Sequence, residues 1–378
     1  MTKRKFEDVP GLDLFSRPAK VRNIRRWFIV EKPTDSVLTN DSIETLQFEI
    51  PKAENHQVFD IGATKLQVKV QIVNKDGTPL KDTGEGSSLV RANQKCSPVN
   101  NFLHSMFSNC QVSANHKAIS SSNSMYTYCS YISDLLDTSD SQKNGYMSSQ
   151  LWYTQTDPFN NTDLKINKQM AKRGEQFGSK AHTMIGGIHS ELFKQDLYIP
   201  PQVELGVEFR LNKPGFCLMS NEKTSEGAAV SADSFKIKIL EAKLYLKYLE
   251  LDEDVMESFE AEMKQQDLIY PVKSIEAKNF MVKAQSTSHR IQNISQGPLP
   301  ELVVCGLLFD KGFTGQDLTQ SPFFFGTSKV SKMSLMVDGK VLGDMALTTD
   351  FDKKDFAYSF LHLYESMGLP KMTKLRLK

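Results

Sequence analysis

Apolar and polar residues alternate without a break along Lys65-Leu66-Gln67-Val68-Lys69-Val70-Gln71-Ile72. Successive side chains of a β-strand point to opposite faces, so this period of two gathers the apolar side chains on one face. The turn-forming residues Asn74-Lys75-Asp76-Gly77 follow directly. The segment therefore predicts a strand with one face in a core and a turn at its end.

The same alternation returns later in the chain. Residues 203–211 alternate between apolar and polar, and residues 235–248 do so with a shift of one residue near Leu240. Such a shift inside a strand is typical of a β-bulge, where one extra residue bends the strand. Shorter apolar runs predict three more strands, at residues 272–282, 302–309 and 333–337. The pattern as a whole predicts an all-β chain.

Few segments have the apolar spacing of a helix, and those that do are short. In the first, Ser97 is the predicted N-cap and Pro98 the first helical residue, ahead of an apolar stripe that ends at Phe107. The second, at residues 125–136, is predicted to face the core with Met125, Cys129, Ile132 and Leu136.

Two further helices are predicted in the second part of the chain. Residues 252–266 lie between two strand-rich blocks, which is typical of a connector between two β domains. Residues 355–367 form the other helix, with a predicted inward face of Phe356, Phe360, Leu363 and Met367.

The composition excludes several classes of protein. The chain has 378 residues, with 46 Lys and Arg against 45 Asp and Glu, so its whole surface is not that of a nucleic-acid-binding protein. No apolar run reaches the roughly 18 residues of a membrane span, and no apolar segment follows the basic start as in a signal peptide. Five scattered cysteines without a Cys-x-x-Cys pair predict free thiols in an intracellular protein that is not secreted.

The first 30 residues carry the clearest local excess of positive charge. A basic arm of this kind can contact the phosphates of a nucleic acid or act as a nuclear-import signal. A solvated terminus is the competing interpretation, because short basic runs are common. The candidate residues for contact with nucleic acid are Lys3, Arg4, Lys5, Arg22, Arg25 and Arg26.

No pattern of residues predicts catalysis, a cofactor or a metal ion. The seven histidines are spread singly, and we interpret His104, beside an apolar stripe, as a hydrogen-bonded structural histidine in preference to a ligand. Cys129 is interpreted as packing in preference to a thiol nucleophile. A sandwich-fold glycan hydrolase would need paired carboxylates in a cleft, and no such pair stands out. We therefore expect a protein that is not an enzyme.

Three adjacent aromatic residues, Phe323, Phe324 and Phe325, are unusual. All three cannot lie on one side of a strand, so at least one side chain points outward. The run is either a subunit interface anchored by aromatic side chains or a strand buried on both faces.

Residues 96–107 resemble a motif of the major capsid proteins of Polinton (Maverick) elements, which are virus-like DNA transposons. The motif is Pro-Val-Asn-Asn-Phe-Leu-His-Ser, and the matching residues are Pro98, Val99, Asn100, Asn101, Phe102, Leu103, His104 and Ser105. Other similar segments occur in the same order at residues 58–73, 126–132, 216–219, 238–242, 270–272, 299–300, 322–325 and 337–339. The resemblance covers about residues 45 to 365.

The resemblance implies a double jelly roll, an all-β fold of two β-sandwiches with a few short helices. The expected divisions are a basic arm and lead-in (1–44), a first jelly roll (45–250), a connector helix (251–268) and a second jelly roll (269–378). Only about four strands are predicted after the connector, whereas a jelly roll has eight, so the second is expected to be incomplete at the C-terminus.

The resemblance also implies a structural role in a virion, without a cofactor. Members of the family form homotrimeric, pseudo-hexagonal capsomers of an icosahedral shell around double-stranded DNA, with a penton-type minor capsid protein as a further partner. The arm would then lie inside the shell, near the DNA. The alternative is a degenerate or host-retained copy, a β-sandwich that acts as a binding module in the nucleus or cytoplasm without assembling shells.

Overall fold

The computed structural model describes residues 24–38, 43–80, 96–119, 125–177, 180–272, 275–295, 299–337, 339–341 and 346–367. Lys3, Arg4, Lys5 and Arg22 of the predicted arm lie outside these ranges. The contact of these four residues with nucleic acid therefore stays a prediction.

Most of the long elements are strands of the first two thirds of the chain. The strands are β1 (Ile24–Pro33), β2 (Thr45–Ile50), β3 (Gln57–Asn74), β4 (Cys96–Pro98), β5 (Phe107–Ala114), β6 (Lys117–Ala118), β7 (His182–Gly186), β8 (Leu205–Leu211), β9 (Leu218–Ser220) and β10 (Phe235–Leu251). Four strands of two residues follow: β11 (Lys332–Met333), β12 (Met336–Val337), β13 (Lys340–Val341) and β14 (Leu347–Thr348).

The helices are short and lie between the strands or after them. They are α1 (Phe102–Ser105), α2 (Tyr126–Asp137), α3 (Asp140–Lys143), α4 (Lys168–Glu175), α5 (Pro214–Cys217), α6 (Glu253–Met263), α7 (Asp310–Phe313) and α8 (Ala357–Ser366), with 3-10 turns at Tyr146–Gln150, Glu191–Lys194 and Ala232–Ser234. In the described ranges, no helix combines the length and apolar content needed to cross a bilayer.

Eight of the strands form two four-stranded antiparallel sheets, in the orders β1-β10-β3-β7 and β2-β8-β5-β6. In chain order these strands pair first with last, second with seventh, third with sixth and fourth with fifth. This nested pairing is that of a hairpin folded over on itself, the jelly-roll arrangement of two sheets built from Greek keys. The strand pairing of a jelly roll is thus present among the described residues of this part of the chain.

The register of β3 and β10 follows the sequence pattern. The four apolar residues of the alternating segment are all fully buried: Leu66, Val68, Val70 and Ile72. The pairing with β10 shifts between Ile239 and Glu241, and the skipped Leu240 is 40% exposed. The predicted bulge is therefore confirmed, and it lets both halves of β10 turn apolar side chains toward the same core.

The sandwich begins earlier than predicted. The lead-in at 1–44 contains β1, which pairs along its whole length with β10, from Ile24 opposite Leu251 to Pro33 opposite Lys243. Its sequence, Ile-Arg-Arg-Trp-Phe-Ile-Val-Glu-Lys-Pro, does not alternate between apolar and polar residues, because β1 lies at a sheet edge and buries little. The fold thus adds a strand that the sequence had assigned to the arm.

Two helix predictions need correction. Ser97 and Pro98 do not begin a helix; they lie in β4, which pairs with β9, and the N-cap of α1 is Asn101. Helix α2 is confirmed, but its predicted stripe is only half-buried. The residues of α2 that face the interior are Tyr126, Thr127, Tyr128, Ser130, Tyr131 and Asp134.

Residues 269–367 form less regular structure than predicted. Neither the described part of 272–282 nor 302–309 forms a strand, although Leu308 makes a single bridge to Phe325. Residues 333–337 split between β11 and β12, each paired over two residues. A strand forms only where a neighbouring segment shares backbone hydrogen bonds along its length. In the described ranges, residues 302–309 make only isolated ones, such as that from the N–H of Gly326 to the carbonyl of Leu307.

The last helix is also placed differently from the prediction. Helix α8 forms, but Phe356, Phe360 and Leu363 of its expected inward face are exposed. The all-β class is confirmed. Helix α6 follows β10 directly, and its role as a connector between two domains stays a prediction.

Candidate functional site

The motif segment, residues 98–105, joins β4 to β5 through α1, and all eight of its residues are buried. Pro98 pairs with Leu218 of β9, and the N–H of Val99 donates to the carbonyl of Cys217 (3.0 Å). Asn101 then takes a left-handed backbone, with φ 53° and ψ 47°, which reverses the chain into α1. Asparagine tolerates this conformation better than most residues, which explains an Asn at the turn.

The two asparagines of the motif segment hold different neighbours. The Nδ2 of Asn100 donates to the carbonyl of Tyr153 (2.9 Å), and its Oδ1 accepts from the N–H of Tyr153 (2.8 Å). The amide thus satisfies both backbone groups of one residue, as a strand partner would. The hydroxyl of Ser105 donates back to the carbonyls of Asn100 and Asn101, each at 2.8 Å, and closes the turn.

Asp134 of α2 is the centre of a buried polar cluster. Its Oδ2 accepts from Asn101 Nδ2 (2.8 Å) and from Gln150 Nε2 (3.3 Å), while its Oδ1 lies 3.2 Å from His189 Nε2. Burial by itself raises the pKa of Asp134, but hydrogen bonds from His189 and Asn101 outweigh it and hold the pKa below its usual value. The carboxylate is therefore ionised inside the protein.

His104 lies beside this carboxylate with one ring nitrogen engaged and one free. Its Nδ1 is 3.0 Å from the hydroxyl of Tyr126, and its ring centroid is 4.5 Å from that of His189. Its Nε2 has no hydrogen-bond partner in the part of the chain that the structure describes. Complete burial, and then the nearby His189, lower the pKa of His104 to about 3. The imidazole is thus neutral near pH 7, and the hydrogen bond expected of His104 is present at Nδ1.

An aromatic seam, formed by Tyr128, Tyr131, Phe313 and Phe323, joins α2 to the later part of the chain. The rings of Tyr131 and Phe323 stack at 4.0 Å with 5° between their planes, and those of Tyr128 and Phe313 stack at 5.6 Å. The hydroxyl of Tyr128 donates to the carbonyl of Pro322 (3.2 Å). The seam therefore fixes residues 309–326 to the first jelly roll.

The seam corrects the interpretation of the three phenylalanines. Phe323 is fully buried within its own chain, so it does not anchor a subunit interface, and the run lies in a turn, not in a doubly buried strand. Phe324 is half-buried and stacks on Phe309 (5.6 Å), and Phe325 is half-buried at 6.2 Å from Tyr131. Of the predicted interface, only the exposed parts of the Phe324 and Phe325 side chains could contact a partner.

The two arm residues that the structure describes are part of the sheet. Arg25 of β1 lies 3.7 Å from Glu250 and 3.8 Å from Asp252, and Arg26 also pairs with Glu250. Both arginines are about two-thirds exposed (63% and 67%), where ion pairs contribute at most about 1 kcal/mol. Their charge is partly balanced, so the predicted arm rests mainly on the residues before β1.

The cysteines other than the exposed Cys305 fit a packing role. The structure describes all five and joins none of them in a disulfide, as predicted. Burial raises the pKa of the thiols of Cys96, Cys110 and Cys217. Burial also raises the pKa of Cys129. A raised pKa keeps a thiol protonated and weakly nucleophilic, which supports the interpretation of Cys129 as packing.

Sequence analysis found the motif segment but missed the residues gathered around it. Asp134, Gln150 and His189 lie far from Asn101 and His104 in sequence, so no local spacing links them. The one sequence signal for this polar cluster is Asp134 itself. A carboxylate among the aromatic residues of an inward helix face requires polar partners, because burying an unpaired charge is costly.

The chain was also compared with known proteins. No family model and no curated protein matches it. A chain of the Sputnik virophage structure, solved by electron cryo-microscopy, aligns with a TM-score of 0.45 and 14% identity over 65% of this chain and 52% of that one. The mavirus major capsid protein aligns with a TM-score of 0.36 and 10% identity, over 66% of this chain and 51% of that one. The Faustovirus major capsid protein aligns with a TM-score of 0.36 and 7% identity, over 63% of this chain and 56% of that one. The present chain spans about half the length of each of these chains.

Proposed function

We propose that the chain is a structural subunit of a virus-like capsid, of the double jelly-roll class that Polinton (Maverick) elements encode. The main support for this proposal is the nested strand pairing of the first sandwich, in which the motif segment forms the buried connection between β4 and β5. Jelly rolls also occur in lectins and cupins, so the fold alone does not choose among these functions. The motif resemblance favours the capsid.

In this proposal, three copies associate into a pseudo-hexagonal capsomer, and capsomers form an icosahedral shell. The exposed apolar side chains of the second half support self-association, because a soluble protein rarely leaves so many uncovered. The most exposed of them are Met281 (84%), Ile269 (82%), Leu299 (72%) and Phe360 (57%). Contact with neighbouring copies would remove these surfaces from water.

The remaining partners follow from the same proposal. The residues before β1, with Lys3, Arg4, Lys5 and Arg22, would face double-stranded DNA inside the shell and bind its phosphates weakly. A penton-type minor capsid protein would occupy the vertices. The assembled chain would be found in the virion, and the unassembled chain in the nucleus or cytoplasm of the host cell.

A second candidate function is a β-sandwich binding module derived from a capsid protein. The observation that favours it is the second half of the chain, where the strands in the described ranges are only two residues long. A chain of this kind would use the first jelly roll alone and remain a monomer.

Electron microscopy of the purified full chain tests the proposal. The capsid subunit predicts particles with three-fold symmetry and a pseudo-hexagonal outline, together with closed shells when the minor capsid protein is co-expressed. The binding module predicts single sandwiches at every concentration, and that result would overturn the proposal.

A further inference from the structure

Three side chains from separate segments converge at the motif segment: His104 of α1, Asp134 of α2 and His189 of the connection after β7. One donor atom of each lies within 4.8 Å of the other two. Two imidazoles and a carboxylate are a ligand set that Zn²⁺ takes in proteins, with water in the fourth position. We infer that His104, Asp134 and His189 bind one zinc ion or a similar divalent transition-metal cation.

His104 has a ring nitrogen that no described residue meets with hydrogen-bond geometry. The side chain is fully buried, and its Nε2 has no hydrogen-bond partner. The other nitrogen, Nδ1, contacts the hydroxyl of Tyr126 at 3.0 Å. In the tautomer in which Nδ1 donates, Nε2 carries the lone pair that a metal ion requires, and Tyr126 fixes the orientation of the ring.

Asp134 is held in the manner of a metal-binding carboxylate. Asn101 and Gln150 both donate to Oδ2, whereas among the described residues Oδ1 contacts His189 alone. Oδ2 therefore fixes the orientation of the carboxylate, and Oδ1 remains available to a cation. Supporting hydrogen bonds of this kind position the ligands at metal sites.

Gly186 lets the chain pack closely against the cluster, and His189 gives the cluster a route to solvent. A Cβ on Gly186 would lie 2.6 Å from Gln150 Oε1, 2.8 Å from Leu103 Cδ2 and 3.4 Å from His104 Nε2, so a larger residue would collide with the cluster and its neighbours. The side chain of His189 is 15% exposed, and its Nδ1 has no partner. A cation can therefore enter on the His189 side.

Zinc would draw the three segments together. Zn–N and Zn–O distances of about 2.0–2.2 Å place tetrahedral ligand atoms roughly 3.4 Å apart, so donors at up to 4.8 Å must close by roughly 1.4 Å. His189 is the most exposed of the three ligands and would move most on binding. The bound ion would cross-link the motif segment, α2 and the β7–β8 connection in the folded chain, and would thereby raise stability.

The experiment uses the full chain, stripped with EDTA and then equilibrated with micromolar Zn²⁺. Atomic emission should find one zinc per chain, and thermal unfolding should shift upward by several degrees. Co²⁺ in place of Zn²⁺ should give the visible absorption bands of a four-coordinate site. Trace zinc, with no shift in Tm and no cobalt bands, would overturn the inference.

Matched histidine variants locate the ion. His189→Gln removes a partly exposed ligand and should lower zinc affinity by at least about tenfold. His116→Gln, at a side chain 86% exposed and outside the cluster, should leave affinity unchanged. One zinc per chain with full affinity in His189→Gln would place the ion elsewhere and contradict the assignment. The wild-type stoichiometry and cobalt spectrum test the site even if a variant folds poorly.

Discussion

Asn101 combines a backbone task and a side-chain task at one position. Its left-handed backbone turns the chain from β4 into α1, and its amide donates to the buried carboxylate of Asp134 at 2.8 Å. Neither task is available to an ordinary aliphatic residue. At the scale of single residues, the motif segment is therefore a structural joint whose polar groups are chosen for particular partners.

Two substitutions separate these tasks. Asn101→Gly keeps the left-handed backbone and loses the hydrogen bond, which should cost about 1.5–3 kcal/mol because the acceptor is charged and buried. Asn101→Ala loses both and should be destabilised by about 1 kcal/mol more. Urea unfolding of the two variants and the parent chain measures the difference. Equal stability of the Ala and Gly variants would show that the backbone at this position is not strained.

At the scale of elements, the aromatic seam holds the later chain against the first jelly roll. Tyr131 of α2 stacks on Phe323 within a set of rings that also touches Phe216 and Trp152. Rings enclosed in this way contribute both buried area and specific stacking. Residues 309–326 therefore depend on α2 for their position.

Phe323→Ala tests this dependence. Emptying a fully buried phenylalanine site should cost about 3–5 kcal/mol in free energy of unfolding. Phe360→Ala is the matched control, because Phe360 is 57% exposed and its truncation should change stability of the monomer by less than about 1 kcal/mol. Chemical denaturation measures both, and similar small effects from the two variants would contradict the buried position of Phe323.

Strand β1 gives a second prediction at this scale. Deletion of residues 1–22 should leave the fold intact and weaken binding to double-stranded DNA, with a shallower dependence of affinity on salt. Deletion of residues 1–33 also removes β1 and exposes the edge of β10, so it should lower Tm and promote aggregation. Thermal unfolding with light scattering and DNA titrations at several salt concentrations distinguish the two effects. Unchanged DNA binding after the shorter deletion would contradict the role of the arm.

Local patterns account for the elements that sequence analysis predicted well. The strands β3, β8 and β10 have alternating residues, and the bulge near Leu240 has its own shift of phase. The edge strand β1 was missed because its residues are mostly exposed, and residues 302–309 were overpredicted because an apolar run does not reveal whether a pairing partner exists. The cluster of His104, Asp134 and His189 could not be predicted, since only the tertiary fold brings these residues together.

At the scale of the whole molecule, the chain has two unequal parts. The first has two sheets whose strands pair in nested order, and the second, from residue 269, has short strands and many exposed apolar side chains in its described ranges. A protein with this distribution has a stable body and a surface that favours association. The proposed capsomer supplies that association through copies of the same chain.

The solution mass of the purified full chain decides between a capsid subunit and a solitary sandwich. Sedimentation equilibrium over a range from low to high micromolar concentration measures this mass without labels or a surface. The capsid proposal predicts a trimer of the 42.7 kDa chain that persists on dilution into the low micromolar range. A single species at the mass of one chain, at every concentration tested, would contradict it.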